Sequence, residues 1–183
     1  LKTRTLRSNI AMVPQDPFLF SMSLAENIAY GLPEADPKRV AQAVERAQLT
    51  KDLAELPHGL ATGVGARGVM LSGGQRQRPA LAPALALDPS ILILDDTLSA
   101  VDAETEAAIQ RGIHVLMEGK TAIAIAHRLS TIRDVDRIYV VKGGRLVESG
   151  PHATLIAAGG HYAQLYRLQS ERDESVAPVA QPA

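Results

Sequence analysis

The chain has 183 residues, of which 46% are hydrophobic and 21% charged, so it has the length and composition of a globular protein with a packed core. A formal net charge of -1 excludes the strong overall basicity of a dedicated nucleic-acid-binding protein, and the absence of cysteine excludes disulfides and thiolate metal sites. No apolar run approaches the ~20 residues that a membrane-spanning helix needs. Because the sequence begins at Leu1 without a signal or transit pattern, we expect it to be an excerpt of a longer chain.

The first part of the chain predicts one strand followed by helices. The apolar stretch 9–13 predicts a short buried strand, and Gln15 lies in the loop behind it. The segment 23–26 reads Ser-Leu-Ala-Glu, a capping box that predicts a helix start, and Asp36-Pro37 is a common entry to another helix. We therefore expect residues from about 22 to 68 to form a small, mostly helical region.

The rest of the chain alternates helices and strands. A helix is expected after Ser72, and the continuous apolar run Ile91–Asp95, which ends in a carboxylate, is typical of a buried parallel strand. The remaining predicted segments are a helix over 104–117, a second buried strand over 121–126, a hairpin with strands 137–141 and 145–147, helices near 153–157 and 162–168, and a solvated tail from Ser170. This order indicates an α/β sheet, in which ligands bind at the carboxyl ends of the strands.

Two features of these segments have the chemistry of a nucleotide site. An apolar strand that ends at Asp95 places a hard oxygen ligand where Mg²⁺ chelated by nucleotide phosphates could bind, and Asp96 adds a second carboxylate. Taken alone, such a strand is more often simply a buried strand with a capping carboxylate. Ser72-Gly73-Gly74 can present bare backbone amides to an anion at a helix start, although alone it is more often an ordinary turn and cap.

Taken together and in order, the motifs resemble the nucleotide-binding domain of ATP-binding cassette (ABC) transporters. The matching segments are Gln15 as the Q-loop, 71–75 (Leu-Ser-Gly-Gly-Gln) as the signature, 91–96 as Walker B, 99–102 as the D-loop, and His127, after a strand, as the H-loop. The stretches 14–20, 23–28 and 63–68 are similar to the exporter branch, in which membrane and nucleotide-binding domains are fused.

The resemblance implies a role for each matched residue. It implies that Asp96 and His127 are catalytic, that Asp95 and Gln15 bind Mg²⁺, and that ATP binding involves Ser72, Gly73, Gly74, Gln75 and Asp102. The signature residues would act on ATP held by the other subunit, so the implied cofactors are ATP and Mg²⁺ and the implied partner is a second nucleotide-binding domain. A transmembrane domain fused upstream and a place at the cytoplasmic face of the cell membrane are also implied, with no nucleic-acid partner.

The resemblance also predicts the fold and its parts. The expected fold class is α/β, a partial P-loop NTPase-like ABC core with a mostly parallel sheet and an inserted α-helical subdomain. The expected parts are a core strand and Q-loop over 1–21, a helical subdomain ending in the signature and its helix over 22–88, the Walker B half of the core over 89–169, and a disordered tail over 170–183.

The sequence departs from the family pattern in three ways. It contains no GxxxxGK[ST] phosphate-binding loop, which truncation explains best, because the family has this loop upstream of the first residue present here. Asp96 stands where the family has Glu, and in heterodimeric exporters such an Asp marks a degenerate, slowly hydrolysing site. Pro79 and Pro83 lie inside the helix behind the signature, where proline normally costs about 3 kcal/mol.

Three alternatives to a competent exporter ATPase remain open at this stage. The first is a regulatory, degenerate-site subunit of a heterodimeric exporter, which lends its signature to a partner. The second is a non-transport ABC ATPase acting on DNA, a class that carries heptad coiled coils or basic surfaces, neither of which occurs in this sequence. The third is a non-functional fragment.

Overall fold

The computed structural model describes residues 2–16, 18–65, 73–97, 103–126 and 129–176. Its contacts divide the chain into two units, Leu1–Ile125 and Ala126–Ala183. In the first unit the elements are α1 (Thr3–Asn9), β1 (Ile10–Val13), α2 (Leu24–Ala29), α3 (Pro37–Arg46), α4 (Thr50–Glu55), a short 3₁₀ helix (Gly59–Ala61), α5 (Gly73–Leu87), β2 (Ile91–Asp95), α6 (Ala103–Leu116) and β3 (Thr121–Ile125).

The first unit contains a parallel sheet of three strands in the order β1-β2-β3, which confirms the predicted parallel α/β arrangement. Alternate residues of β1 and β2 lie on one face and are buried: Ala11, Val13, Leu92 and Leu94. They belong to the same apolar cluster as buried residues of α2, α3, α5 and α6. The core of this unit therefore lies between one face of the sheet and its helices.

The prediction that residues 121–126 form a buried strand is only half right. The strand forms over Thr121–Ile125, but every one of its residues is exposed. Among the described residues β3 pairs with β2 alone, as an edge strand, and Ile123 and Ile125 keep about half of their surface accessible. An apolar strand pattern is the same for a central and an edge strand, so the sequence could not distinguish the two.

The helical region begins as the sequence predicts. The Ser23 side chain accepts a hydrogen bond from the Glu26 N–H, and the Glu26 carboxylate accepts one from the Ser23 N–H at 2.8 Å, which completes the capping box of α2. Asp36 caps α3 through the Lys38 N–H at 2.9 Å. The predicted apolar face of α3 is buried: Val40, Ala43, Val44 and the following Ala47.

α5 runs continuously from Gly73 to Leu87 with both Pro79 and Pro83 inside it. Its buried residues include Leu81, Ala82 and Leu85, which lie in the core of the unit. Burial of this apolar face offsets the amide donors that the two prolines remove, so tertiary packing outweighs the local preference.

The second unit consists of β4 (Ile138–Lys142), β5 (Arg145–Gly150), α7 (His152–Ala158) and α8 (His161–Val176), with a short 3₁₀ helix at Leu129–Ile132. The predicted hairpin is confirmed: Gly143 and Gly144, both with positive φ, turn β4 into antiparallel β5. Burial raises the pKa of the Tyr162 phenol, with a smaller contribution from Tyr166.

α8 is longer than the sequence indicates. The predicted tail starts at Ser170, whereas the helix continues to Val176, and residues 177–183 lie outside the described part of the chain. The charged composition beyond position 170 is compatible with a solvated helix, which composition alone does not distinguish from a tail. The domain boundaries expected at 21/22, 88/89 and 169/170 remain predictions. Within the described ranges, no helix has the length and apolar character needed to cross a bilayer.

Candidate functional site

The carboxyl ends of the parallel strands carry three of the six described candidate residues, Gln15, Asp95 and Asp96. In the register of the sheet, Val13 at the end of β1 pairs with Leu94, and Asp95 at the end of β2 pairs with Ile125 at the end of β3. The chain segments that follow the three strands therefore leave the same edge of the sheet. Gln15 lies two residues beyond β1 and is exposed, and Asp95 is half-buried.

Asp96, the first residue after β2, has a backbone conformation that few residue types adopt readily. Its φ is +44°, in the left-handed region where Asp and Asn are enriched among non-glycine residues. Its N–H donates a hydrogen bond of 2.8 Å to the carbonyl of Ile125. The half-buried Asp96 is thus held by its main chain against the end of β3, at the point where the chain leads to His127.

Thr97 ties the same turn to the other neighbouring strand. Its hydroxyl donates to the Val13 carbonyl at 3.3 Å, and the residue is only 3% exposed. Sequence reasoning did not single out Thr97. The signal that could have found it is a hydroxyl residue directly behind a pair of carboxylates at a strand end.

The signature segment is described only in part. Gly73, Gly74 and Gln75 form the first turn of α5, where backbone N–H groups have no acceptor within the helix. An anion could use these donors, as the sequence predicts. Ser72, Asp102 and His127 lie outside the described residues, so their predicted roles stay predictions.

One ion pair follows closely behind the signature turn. Arg78 of α5 donates through Nη2 to Oδ1 of Asp52 in α4 at 2.5 Å, and the two side chains are 18% and 15% exposed. Asp52 Oδ2 and Arg78 Nε are buried and have no hydrogen-bond partner among the described residues. This contact was not predicted, because its two residues are far apart in sequence and neither belongs to a motif.

The donor set at the strand ends suits a divalent ion that brings most of its own ligands. Asp95 and Gln15 each offer a hard oxygen, which Mg²⁺ prefers, and they follow adjacent strands. Among the described residues, no group of three or more His, Cys, Asp or Glu side chains could hold a metal. One or two protein oxygen ligands are sufficient for Mg²⁺ that carries phosphate oxygens and water, and Asp95 and Gln15 offer such oxygens.

Comparison with known proteins shows the family to which the chain belongs. A family model described as "ABC transporter" matches residues 1–99, which is just over half of the chain. An uncharacterized ABC transporter ATP-binding protein of Bacillus subtilis is 51% identical over 165 residues, covering 90% of this chain and 29% of the relative. An ATP-dependent lipid A-core flippase of Burkholderia pseudomallei is 50% identical over 171 residues, covering 93% of this chain and 28% of the relative.

The fold is also similar to that of a solved ABC exporter. The structure of a bacterial Atm1-family ABC exporter with ATP bound matches with a TM-score of 0.87 and 42% sequence identity, covering 91% of this chain and 30% of that one. The chain thus spans less than a third of the length of these relatives. The match at the levels of motif, sequence and fold places the chain in the ABC transporter family, with the ABC ATPase fold.

Proposed function

We propose that the chain is the C-terminal part of the ATP-binding domain of an ABC exporter, in which ATP binding and hydrolysis at a dimer interface drive transport across a membrane. The observation that carries this proposal is the placement of Gln15, Asp95 and Asp96 at the carboxyl ends of adjacent parallel strands, at one edge of the sheet. The finer architecture that we propose is a P-loop NTPase-like core with an inserted helical subdomain.

Each candidate residue has a distinct task in the proposed reaction. Asp95 and Gln15 hold Mg²⁺, which neutralises charge on the transferred phosphate when it is bound. Asp96 orients or deprotonates the attacking water, and His127 contacts the γ-phosphate. The amides of Gly73, Gly74 and Gln75, with Ser72, bind the γ-phosphate of ATP held by the other subunit, and Asp102 hydrogen-bonds across the dimer.

The proposed partners are a second ATP-binding domain and a transmembrane domain, which would hold the protein at the cytoplasmic face of the cell membrane. The names of the relatives support this assignment, since they include an ATP-dependent flippase and an exporter with ATP bound. The substrate is left open, because the chain corresponds to less than a third of those proteins.

The first test is direct titration of the 183-residue chain with Mg-ATP. The sequence contains no GxxxxGK[ST] loop to surround the phosphates, so we expect no micromolar site and no turnover. Tight binding by this chain alone would contradict the assignment of its residues to only part of an ATP site.

A second candidate is favoured by Asp96, namely the degenerate-site subunit of a heterodimeric exporter. Its carboxylate is one methylene shorter than Glu, and a misplacement of about 1 Å can lower a rate on the order of 10²-fold. The measurement is single-turnover hydrolysis by the full subunit with its natural partner, whose own catalytic carboxylate is neutralised. If the site is degenerate, Asp96→Glu raises the rate. A rate unchanged by Asp96→Glu but abolished by Asp96→Asn identifies a competent site.

The positive φ at position 96 affects the stability of the two variants differently. Glu adopts positive φ less readily than Asp or Asn, so Asp96→Glu carries a strain cost that Asp96→Asn lacks. The thermal stability of both variants therefore has to be measured beside their rates. A faster Asp96→Glu variant that is also slightly less stable is the combined result expected for a degenerate site.

A further inference from the structure

We propose that Thr97 is a positioning residue of the ATP site, whose hydroxyl fixes the Gln15 loop relative to Asp96. The inference rests on the proposed function, because it assigns Thr97 a task only if Gln15 and Asp96 act on Mg-ATP. Thr97 itself does not contact ATP in this proposal. It acts through the main chain of β1.

The two residues after β2 bind one neighbouring strand each. The Asp96 N–H donates to the Ile125 carbonyl at the end of β3, at 2.8 Å. The Thr97 hydroxyl donates to the Val13 carbonyl at the end of β1, at 3.3 Å. Since β2 lies between β1 and β3, these two bonds connect the ends of all three strands. The segments that continue to Gln15 and to His127 thus start from positions set by the Asp96-Thr97 turn.

β1 ends at Val13, and the chain leaves the strand at Pro14. Pro14 has no N–H, so the backbone between Val13 and Gln15 lacks the donor that another residue would supply. The Val13 carbonyl is then the last main-chain group of β1 before Gln15, and a side chain from the turn after β2 binds it.

Burial makes this hydrogen bond difficult to replace with water. Thr97 is 3% exposed and Val13 is fully buried, so water does not replace the bond from the hydroxyl, and the Val13 carbonyl is left with the hydrogen bond that its pairing with β2 gives it. The turn after β2 is then no longer tied to the end of β1, and Gln15 moves relative to Asp96. Displacements of about 1 Å at a catalytic group can cost on the order of 10²-fold in rate.

The experiment compares Thr97→Val with Thr97→Ser in the full transporter subunit assembled with its partner. Valine preserves the branched shape and removes the hydroxyl, whereas serine retains the hydroxyl. Thr62→Val is the matched control: Thr62 is 2% exposed, and its hydroxyl accepts a hydrogen bond of 3.0 Å from the His58 N–H, away from the strand ends. We measure kcat and KM for Mg-ATP, the Mg²⁺ dependence of the rate, and the melting temperature of each variant.

The expected result is specific to the hydroxyl at position 97. Thr97→Val should lower kcat about tenfold and raise the Mg²⁺ concentration needed for half-maximal rate, by the same displacement argument. Thr97→Ser should stay within about twofold of the wild type. Thr62→Val should lower the melting temperature and leave kcat unchanged. Equal rates for Thr97→Val and the wild type overturn the proposal, and so does a Thr97→Ser variant as slow as Thr97→Val.

A second measurement separates this inference from the proposed function. Hydrogen–deuterium exchange of the Gln15 and Asp16 amides in the 183-residue chain does not depend on ATP turnover. Thr97→Val should accelerate this exchange, and Thr97→Ser should not. Unchanged exchange overturns the positioning role. Accelerated exchange in Thr97→Val, found together with a full wild-type subunit that does not hydrolyse ATP when assembled with its partner, overturns the proposed function and leaves the structural link intact.

Discussion

Replacing Gly160 with alanine tests a contact that holds the second unit together. Gly160 directly precedes α8, and a Cβ built on it would lie 2.5 Å from Oε1 and 2.9 Å from Cδ of Glu148. The Glu148 carboxylate accepts hydrogen bonds from the N–H groups of His161 at 2.5 Å and Tyr162 at 3.1 Å. It therefore caps the N-terminus of α8 from β5, and the added methyl group must displace it.

The size of the effect follows from what the displaced carboxylate loses. Loss of a capping side chain costs about 0.5–2 kcal/mol of stability. When the capping group is charged, its hydrogen bonds are stronger, and the cost of losing them lies near or above the top of that range. The φ of Gly160 is not in the left-handed region, so alanine adds no backbone strain there. Alanine also lowers the conformational entropy of the unfolded chain, which by itself stabilises the fold by about 0.4–1 kcal/mol. We expect Gly160→Ala to destabilise α8 by roughly 1–2 kcal/mol net.

Native-state hydrogen exchange of the α8 amides measures this cost, since each ~1.4 kcal/mol accelerates exchange through opening about tenfold. Gly31→Ala is the control, because its Cβ would meet nothing within 4 Å and its φ is also unexceptional. A double-mutant cycle with Glu148→Ala tests the cause, because the clash disappears once the carboxylate is gone. The reasoning is refuted if Gly160→Ala is as harmless as Gly31→Ala, or if its cost adds fully to that of Glu148→Ala.

Three further predictions concern the first unit. Hydrogen bonds from the hydroxyl and N–H of the N-cap serine lower the pKa of Glu26 from 4.5. The stability that this carboxylate contributes is therefore present above about pH 4.5 and is lost as the pH falls through the lower pKa of the folded state. Acid unfolding of Glu26→Gln should lack this part of the pH dependence. Asp52→Asn should cost roughly 2–4 kcal/mol in chemical denaturation by leaving Arg78 buried and unpaired, and adding Arg78→Gln should recover most of the loss; a fully additive double variant would contradict this pairing. The double substitution Pro79→Leu with Pro83→Arg should raise the melting temperature by restoring two helical amide donors, and no change or a fall would mean that the packed helix already accommodates both prolines.

The sequence by itself determined the local elements and indicated the candidate site residues. The capping box over 23–26 and the Gly143-Gly144 turn depend on groups within a few residues of each other, so their patterns specify their structures directly. The order of the motifs along the chain is also a property of the sequence alone, and it indicates the ABC family without any structure. The sequence also predicts Gln15, Asp95 and Asp96 as candidate site residues without knowledge of the sheet, because each follows a predicted strand or belongs to a matched motif.

Only the tertiary structure decided which groups meet. Thr97 lies 84 residues from Val13 and Arg78 lies 26 residues from Asp52, and no local pattern encodes either contact. The exposure of β3 was likewise decided by its place at the sheet edge, because the same five apolar and small residues suit a buried or an open strand. Sequence periodicity reports which face of an element is apolar, whereas burial and long-range hydrogen bonds depend on which other elements pack against that face.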